Sequence, residues 1–240
     1  MMSVLVLRLA GPLQSWGVRS RFVRRTTEAM PTKSGLIGLL AAAKGMRRQD
    51  PLEDLLELSL AVRCDQPGEL LRDFHTAHHQ VSGKSMPLSE RYYWSDAVYT
   101  AYISGRDEVI DGLNEALADP AYPIYLGRRS CVPEGRIVLA VSAEPVKELV
   151  HTTPWQAGVP HQKRMKQPTV TLDVQADEGV FAELTAARQV QDVPLSFDPE
   201  RRDYAVRAVV DTSVEVPNPR WTAPAAADGH DPLSLAKEYA

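Results

Sequence analysis

The residues best suited to chemistry near the amino terminus form one loop, Gly11-Pro12-Leu13-Gln14-Ser15-Trp16-Gly17. Its glycines permit a tight backbone, Gln14 and Ser15 offer hydrogen bonds, and Trp16 offers a face for stacking. Single-stranded RNA is held by this mixture of stacking and edge contacts. An ordinary turn around a core tryptophan is an equally good interpretation of this loop taken alone.

Four arginines follow the loop, at Arg19, Arg21, Arg24 and Arg25. A run of charged residues is most often a solvated surface loop. Here the run lies between the end of a predicted strand and the start of a predicted helix, where a phosphate backbone is readily bound. We therefore expect these arginines to contact RNA, with a plain surface loop as the alternative.

The segment Pro31-Thr32-Lys33-Ser34-Gly35 is predicted to begin a helix. Free N–H groups and the helix dipole attract an anion there, and Lys33 and Ser34 add a charge and a hydroxyl. We expect a phosphate contact, with an ordinary helix cap as the alternative. A nucleotide-binding P-loop is excluded, because no glycine precedes Lys33 and the earlier glycine of that motif is also missing.

A later segment, Tyr125-Leu126-Gly127-Arg128-Arg129-Ser130-Cys131, repeats this combination of residue types. Gly127 permits unusual backbone angles, and Arg128 and Arg129 are side chains that bind phosphate through two parallel hydrogen bonds. Ser130 adds a hydroxyl. We expect this segment to hold RNA as well.

Charge is distributed unevenly along the 240 residues, whose net charge is −4. Residues 1–50 hold nine Lys or Arg and two Asp or Glu, which gives +7, whereas the remainder holds 18 and 29, which gives −11. Phosphate binding requires a local basic face rather than a basic protein. A scaffold that contacts only other proteins would not account for this uneven distribution of charge.

The two cysteines, Cys64 and Cys131, lie far apart and predict neither a disulfide framework nor a zinc site. This fits a reducing cytoplasm. The apolar start at residues 4–7 is followed by Arg8 and is too short for a signal-peptide core or a membrane span. We expect no membrane association, no metal and no cofactor.

Apolar patterning predicts an α+β domain over residues 1–143 with the order β-α-β-(insertion)-β-α-β, a ferredoxin-like arrangement with its helices on one side of the sheet. Asp50 is the predicted cap of a second short helix. The predicted strands are 3–10, 58–64, 96–104 and 137–142, the predicted helices begin at 36 and 107, and an extended hairpin occupies the insertion within 66–94.

Residues 144–215 predict a β-rich extension with strands near 170–175, 189–197 and 203–211, which form either a second small sheet or additions to the first. A basic loop over residues 151–168 precedes them. Residues 216–240 are rich in Pro and Ala and predict an irregular tail.

The histidines support the strongest alternative to RNA binding without cleavage, which is metal-independent cleavage of precursor RNA. His75, His78 and His79 lie near Lys84, Tyr92 and Tyr93, and His151 and His161 lie near Lys163. Histidine suits proton transfer near neutral pH. A metal site is not expected, because alternate residues of a strand share a face and His78 would point away from His75 and His79.

Five blocks in the same order resemble the CRISPR-associated Cas5 family, in the version found in type I-E Cascade complexes. In chain order they are LRLAGPLQSWG (7–17), PTKSGLIGLL (31–40), AVRCD (61–65), LRDFHT (71–76) and YLGRRSC (125–131). They cover most of residues 1–140, and the similarity is looser beyond His151.

The resemblance implies a modified RNA-recognition fold with a β-hairpin thumb at about residues 68–94, capping the 5′ handle of crRNA at one end of Cascade. A separate subunit is then the processing nuclease. The implied partners are the backbone subunit CasC, the large subunit CasA and, within the assembled complex, target DNA. The implied RNA contacts are the 11–17 loop, the four arginines, Lys33, Ser34, His75 and Gly127 to Ser130; the thumb contacts are His78, Lys84, Tyr92 and Trp94.

Overall fold

The computed structural model describes residues 1–17, 24–184 and 188–223, which form two β-sheets and five helices. This mixture confirms the α+β class. None of the described helices is long and apolar enough to cross a membrane. The strands are β1 (Met2–Ala10), β2 (Leu13–Gln14), β3 (Arg24–Arg25), β4 (Ser59–Gln66), β5 (Glu69–His75), β6 (Ser89–Ser95), β7 (Val98–Arg106), β8 (Val138–Ser142), β9 (Thr169–Asp177), β10 (Arg188–Ser196) and β11 (Asp203–Pro217). The helices are α1 (Lys33–Ala43), α2 (Glu53–Leu56), α3 (Asp107–Ala118), α4 (Val146–Thr152) and α5 (Val159–Arg164).

Strand β1 lies inside the larger sheet because it is apolar on both faces. Leu5, Leu7 and Leu9 are buried in the core on one side of the sheet, and Val4 and Val6 in the core on the other side. A strand of this composition requires cover on both faces. The prediction of a strand at residues 3–10 is therefore confirmed.

Four strands and two helices occupy the centre of the molecule in the predicted order β1-α1-β4-β7-α3-β8, with β5 and β6 inserted between β4 and β7. In the sheet they lie in the order β4-β7-β1-β8, and all neighbouring pairs are antiparallel. Helices α1 and α3 cover one face. Helix α3 buries Ile110, Leu113 and Leu117 there, and each such side chain contributes about 1.5–3 kcal/mol.

Helix α1 begins at Lys33, within the segment predicted to start a helix and three residues before the first position of the predicted apolar pattern. The Thr32 side chain caps it by accepting a hydrogen bond from the Gly35 N–H. The prediction for the next helix is wrong in its cap. Helix α2 begins at Glu53, while Asp50 accepts a hydrogen bond from the Arg47 N–H at 2.7 Å. A short carboxylate side chain that bonds to nearby backbone stabilises a turn instead of capping a helix.

The carboxyl-terminal strands extend the first sheet rather than forming a second one. Strand β9 pairs with β4, with Ala61 opposite Ala176, and β11 and β10 follow. The larger sheet therefore has seven strands in the order β10-β11-β9-β4-β7-β1-β8. The sequence left these two arrangements open, and the pairing of β9 with β4 decides between them.

Helix α4 covers the face of the sheet opposite α1 and α3. Its residues Val146, Leu149 and Val150 share a core with Val4 and Val6. Within residues 1–143, for which helices on one side were predicted, α1 and α3 share one face, and the extension adds a helix to the second face.

The predicted basic loop at residues 151–168 contains helix α5. Gly158 is its cap residue, and Pro160 occupies its first turn, where the fixed φ of proline suits a helix. Strand β11 likewise continues beyond its predicted end and pairs through Pro217 with Thr169. Of the predicted irregular tail, Val216 and Pro217 are thus strand, and residues 224–240 lie outside the described residues.

Arg63 fixes the segment after α4 to the sheet. It is fully buried and forms an ion pair of 2.8 Å with Asp65, which is also fully buried. Its guanidinium donates to the carbonyl oxygens of Val150, Thr153 and Pro154. The pair thus joins β4 to the chain between α4 and α5.

We expect Asp65→Ala to lower the free energy of unfolding by about 3–5 kcal/mol, because it leaves the charge of Arg63 buried without its partner. Asp54→Ala is the matched control, since Asp54 pairs with Arg106 on the surface and an exposed pair contributes about 1 kcal/mol or less. Urea unfolding of the full chain measures both. Equal losses in the two variants would contradict the assigned role of the buried pair.

Candidate nucleic-acid interface

The loops at residues 11–17 and 125–131 meet where the chain leaves β1. The Ser15 N–H donates to the Leu126 carbonyl oxygen at 3.1 Å. Gly127 has a φ of +91°, and a Cβ atom placed on it would lie 1.8 Å from the Ser15 carbonyl oxygen. Only glycine permits this approach. Two segments more than a hundred residues apart, both singled out from the sequence, therefore form one structural unit.

The prediction that Gln14 and Trp16 present hydrogen-bonding and stacking groups to RNA is wrong, because both side chains are fully buried. The Gln14 Nε2 donates to the carbonyl oxygens of Leu9 and Ala97, at 3.0 and 2.7 Å, and its Oε1 accepts from the Trp16 indole. The Trp16 ring packs on Gly35 so closely that a Cβ there would lie 2.7 Å from it. The alternative of a turn around a core tryptophan is correct.

Ser15 is also inside the protein. It is 2% exposed, and its hydroxyl donates to the Tyr92 carbonyl oxygen at 3.1 Å. The 11–17 loop thus supports the base of the hairpin formed by β5 and β6. Its side chains Gln14, Ser15 and Trp16 are buried and stabilise the site from within the protein, and they do not form its surface.

The prediction that Lys33 and Ser34 hold a phosphate is also wrong, because the side chains of both are buried. The Lys33 ammonium donates to the Leu58 carbonyl oxygen at 2.8 Å and pairs with Asp177 at 3.1 Å. Its backbone N–H donates to an Asp192 carboxylate oxygen at 2.8 Å. The helix start does attract an anion, as its dipole predicts, but the anion belongs to the extension of the same chain.

Arg207 completes this buried group of charges. Its guanidinium pairs with Asp192 at 2.6 Å and also with Asp177. Two cations and two carboxylates therefore join β9, β10 and β11 to the start of α1. The hydroxyl of Ser34 lies 3.3 Å from that of Thr32 and serves the same helix start.

Arg128 positions the 125–131 loop instead of reaching into solvent. One of its terminal nitrogens donates to the Tyr92 carbonyl oxygen at 3.1 Å, and the other donates to Arg25 and Thr26 carbonyl oxygens at 2.8 and 3.3 Å. The guanidinium carbon lies 4.8 Å from the centre of the Tyr93 ring. The expectation of Arg128 as a phosphate ligand is corrected accordingly: it joins three segments.

Tyr93 lies at the centre of this junction. Burial raises the pKa of its hydroxyl, but hydrogen bonds with Ser130, Arg128 and Arg91 outweigh burial and lower the pKa overall. Arg91 also lies opposite Arg25 in the pairing of β3 with β6. Arg91 was missed in the sequence, although a basic residue directly before two tyrosines and a tryptophan is a signal for nucleic-acid binding.

Three predicted arginines remain exposed around this junction, and we call Arg24, Arg25 and Arg129 the basic rim. Arg24 lies 5.4 Å from the centre of the Tyr92 ring and donates to its hydroxyl at 3.3 Å. Within the described ranges, none of the three forms an ion pair with a carboxylate. Arg19 and Arg21 lie outside the described residues.

The predicted hairpin thumb is present, with β5 and β6 paired from Glu69 opposite Ser95 to His75 opposite Ser89. Near its tip His78 bridges to Ser85, and Lys84 is exposed.

Tyr92 and Trp94, predicted to contact a partner, lie at the base of the hairpin and bind their own chain. The Trp94 indole donates to the Glu28 carbonyl oxygen at 2.7 Å, and Tyr92 contacts Arg24. Sequence position alone did not separate the base of the hairpin from its tip.

The hairpin does not assemble an acid–base pair from His75 and Tyr92. Arg72 lies opposite Tyr92, and His75 is three positions beyond Arg72. An odd number of positions places two residues on opposite faces of a strand pair. His161, of the second candidate group, packs on Trp155 with 5.7 Å between ring centres. Among the described residues, no cluster of His, Cys, Asp or Glu is arranged to hold a metal ion.

Burial disfavours the thiolate form of both cysteines. Burial raises the pKa of Cys64 to about 12, with a further contribution from the charges of Asp65 and Asp173. Burial also raises the pKa of Cys131, against hydrogen bonds with Ser130 and the Arg128 backbone. A protonated thiol is a poor nucleophile.

Comparisons with known proteins agree with one another. A family model described as "CRISPR-associated protein (Cas_Cas5)" matches residues 4–210. The chain is 35% identical over 176 residues to the Escherichia coli (strain K12) protein "CRISPR system Cascade subunit CasD", covering 64% of this chain and 79% of that protein.

Two solved structures share the fold and about a third of the sequence. A chain of a "CRISPR RNA-guided surveillance complex" superposes with a TM-score of 0.73 at 35% identity and 98% coverage of both chains. A "Crystal structure of Cas protein" gives a TM-score of 0.68 at 34% identity, covering 91% of this chain and 97% of the other. With a family model that spans most of its length, this chain belongs to the CRISPR-associated Cas5 family.

Proposed function

We propose that this chain is a non-catalytic, RNA-binding subunit of a CRISPR Cascade surveillance complex, in which it caps the 5′ handle of crRNA. The observation that carries the proposal is the basic rim. Three exposed arginines surround a rigid junction of loops 11–17 and 125–131 with the hairpin base, and they have no carboxylate partner within the described residues. The named relative, a Cascade subunit, supports the same assignment.

A polyanion is the natural occupant of the basic rim. Arginine binds phosphate through paired hydrogen bonds, and each neutralised phosphate releases counterions, which favours binding. The 5′ handle is a single strand whose backbone can follow a curved rim. Arg91 and the ring of Tyr92 lie beside the rim and supply a further charge and a face for stacking.

The domain that carries the rim is a ferredoxin-like, modified RNA-recognition domain. The strand order β4-β7-β1-β8 with antiparallel pairing supports this assignment, as does the order β-α-β-β-α-β along the chain. The extension from β9 to β11 adds strands at the edge of the sheet formed by β4. Its carboxylates neutralise the buried Lys33, whereas the arginines of the basic rim remain free to bind RNA.

The hairpin docks on the neighbouring backbone subunit, CasC. Leu70 and Phe74 share a face of β5 and are 56% and 54% exposed, and Met86 and Leu88 are 50% and 47% exposed. Exposed apolar surface of this kind marks an interaction site. The exposed Lys84 and His78 near the tip are then placed to contact the guide–target duplex or the partner. The large subunit CasA is the second partner of the chain in the assembled complex, which acts in the cytoplasm.

Replacing Arg24, Arg25 and Arg129 together with Ala tests the proposed RNA contact. We expect weaker binding of labelled 5′-handle RNA, with the slope of log affinity against log salt reduced by about 2, because each phosphate contact on a single strand contributes about 0.7. Fluorescence anisotropy at several salt concentrations measures it. A second triple variant, Lys44→Ala, Arg47→Ala and Arg48→Ala, removes three exposed charges beyond the end of α1 and is the matched control. Identical binding by the two variants would remove the rim from the site.

Leu70→Ser with Phe74→Ser tests the hairpin as a docking surface. The double variant is expected to bind handle RNA normally but to be lost from complexes purified through CasC, because the apolar contact is missing. Leu195→Ser with Val206→Ser replaces two other exposed apolar residues and shows whether any such replacement on the surface lowers recovery. Full recovery of the Leu70 and Phe74 variant in the complex would disprove the assignment.

Repeat RNA incubated with the full chain in a chelator is expected to stay intact, because His75 and Tyr92 lie on opposite faces of the hairpin and the Tyr93 side chain is buried. Denaturing gel electrophoresis of end-labelled RNA measures this. Metal-independent cutting that Tyr92→Phe or His75→Ala abolishes would establish the endoribonuclease alternative instead.

A further inference from the structure

A second group of exposed cations lies on α5, just after the end of α5 and on the turn after β11. Lys163, Arg164, Lys166 and Arg220 are all exposed, and we call them the α5 surface. In the part of the chain that the structure describes, none of them pairs with a carboxylate. They are not part of the basic rim, and the handle contact proposed above does not use them.

The α5 surface is built on a rigid support. Asn218 is buried, and its side chain donates to the carbonyl oxygens of Gln162 and Met165 at 3.1 and 2.6 Å. Its side-chain oxygen accepts from the Arg220 N–H at 3.0 Å. The buried Gln162 in turn donates to the carbonyl oxygens of Trp155 and Ala157, at 3.0 Å each. These bonds fix the turn that carries Arg220 against the helix that carries Lys163 and Arg164.

The α5 surface lies at the same end of the sheet as the hairpin base. The N–H of Gly158, the cap residue of α5, donates to the Gln66 side-chain oxygen at 3.0 Å. The Gln66 amide nitrogen then donates to the Asp96 carbonyl oxygen at 2.7 Å, in the turn between β6 and β7. Two hydrogen bonds thus lead from α5 to the hairpin, and both basic groups border one end of the molecule.

Acidic side chains of the extension lie on the other face of the sheet. In β9, Val170, Leu172 and Val174 are buried in the core that α4 covers, so Asp173 points to the opposite face. Asp211 and Glu215 of β11 alternate in the same way with the buried Val214. The carboxylates of the strands are therefore separated from the α5 surface by the sheet itself.

His161 lies beside the cations of α5. Burial lowers the pKa of His161, and the charge of Arg164 lowers it further. Trp221 lies one residue beyond Arg220 and is 38% exposed. Clustered exposed cations are typical of surfaces that bind a nucleic-acid backbone.

We propose that the α5 surface binds the phosphodiester backbone of target DNA. The inference rests on the proposed function, because handle RNA then occupies the basic rim and DNA is the second polyanion that an RNA-guided surveillance complex must hold. Contacts of this kind are independent of sequence and depend strongly on salt.

The test uses Cascade assembled with guide RNA, and also the full chain alone, each carrying Lys163→Ala, Arg164→Ala and Lys166→Ala. The control is again the triple variant of Lys44, Arg47 and Arg48. The probes are a labelled target duplex and labelled handle RNA. We expect about tenfold weaker DNA binding by the α5 variant, and a slope of log affinity against log salt that is lower by about 2.7, since each duplex phosphate contributes about 0.9. Handle RNA binding stays at the wild-type level.

The outcomes separate this inference from the proposed function. DNA binding by the α5 variant equal to that of the control would overturn the inference. If the α5 variant lost handle RNA and bound DNA normally, the α5 surface would be assigned to the guide RNA instead. If only assembly of the complex were lost, the surface would be assigned to an acidic partner subunit. Either result would overturn the inference. Normal RNA binding by the variant of Arg24, Arg25 and Arg129 would disprove the proposed function. The DNA measurement on the isolated chain would then test the α5 surface independently of that function.

Discussion

The interface depends on the close approach of Gly127 to the Ser15 carbonyl oxygen. A Cβ atom at this position would overlap the oxygen, so the two loops touch only because residue 127 has none. The contact places Arg128 where it reaches the Tyr92 carbonyl oxygen and the backbone of Arg25. Arg129 is the next residue along the chain and is exposed, so the same contacts fix the backbone from which its side chain projects.

Burial decides which cations of this chain are structural. Lys33 looks from its spacing like a phosphate ligand, yet Asp177 and Asp192 reach it from strands more than 140 residues away. Leaving a lysine buried without a partner costs several kcal/mol, so the extension and α1 require each other. The same physical reasoning identifies the functional cations. Arg25 and Arg129 are solvated and have no carboxylate partner within the described residues. A phosphate from outside can therefore attract them, and the cost of removing these charges from water is much smaller than for a buried lysine.

The elements were predictable where periodicity is local. Strand β1, helix α3 and the β5–β6 hairpin follow from patterns of a few residues, and the five sequence blocks indicated the family. The orientation of single side chains was not predictable. Nothing near Trp16 in the sequence indicates that Gly35 would leave room for its ring, and nothing near Lys33 indicates Asp177. Such contacts depend on long-range packing, which local patterns do not contain. The segments predicted to form the site do contact one another in the structure, but several of the side chains predicted to reach RNA are buried inside the protein.

An acidic protein can bind two polyanions if its charges are separated in space. Here the carboxylates of β9 and β11 face one side of the sheet or neutralise buried cations, whereas the basic rim and the α5 surface border one end of it. Attraction between exposed charges decays over about 8–10 Å at physiological salt, so a phosphate at that end responds to the nearby arginines and lysines more than to the net charge of −4. The extension thus has two effects. Its carboxylates stabilise α1 from one side, and its helix α5 adds a second group of cations beyond the hairpin base.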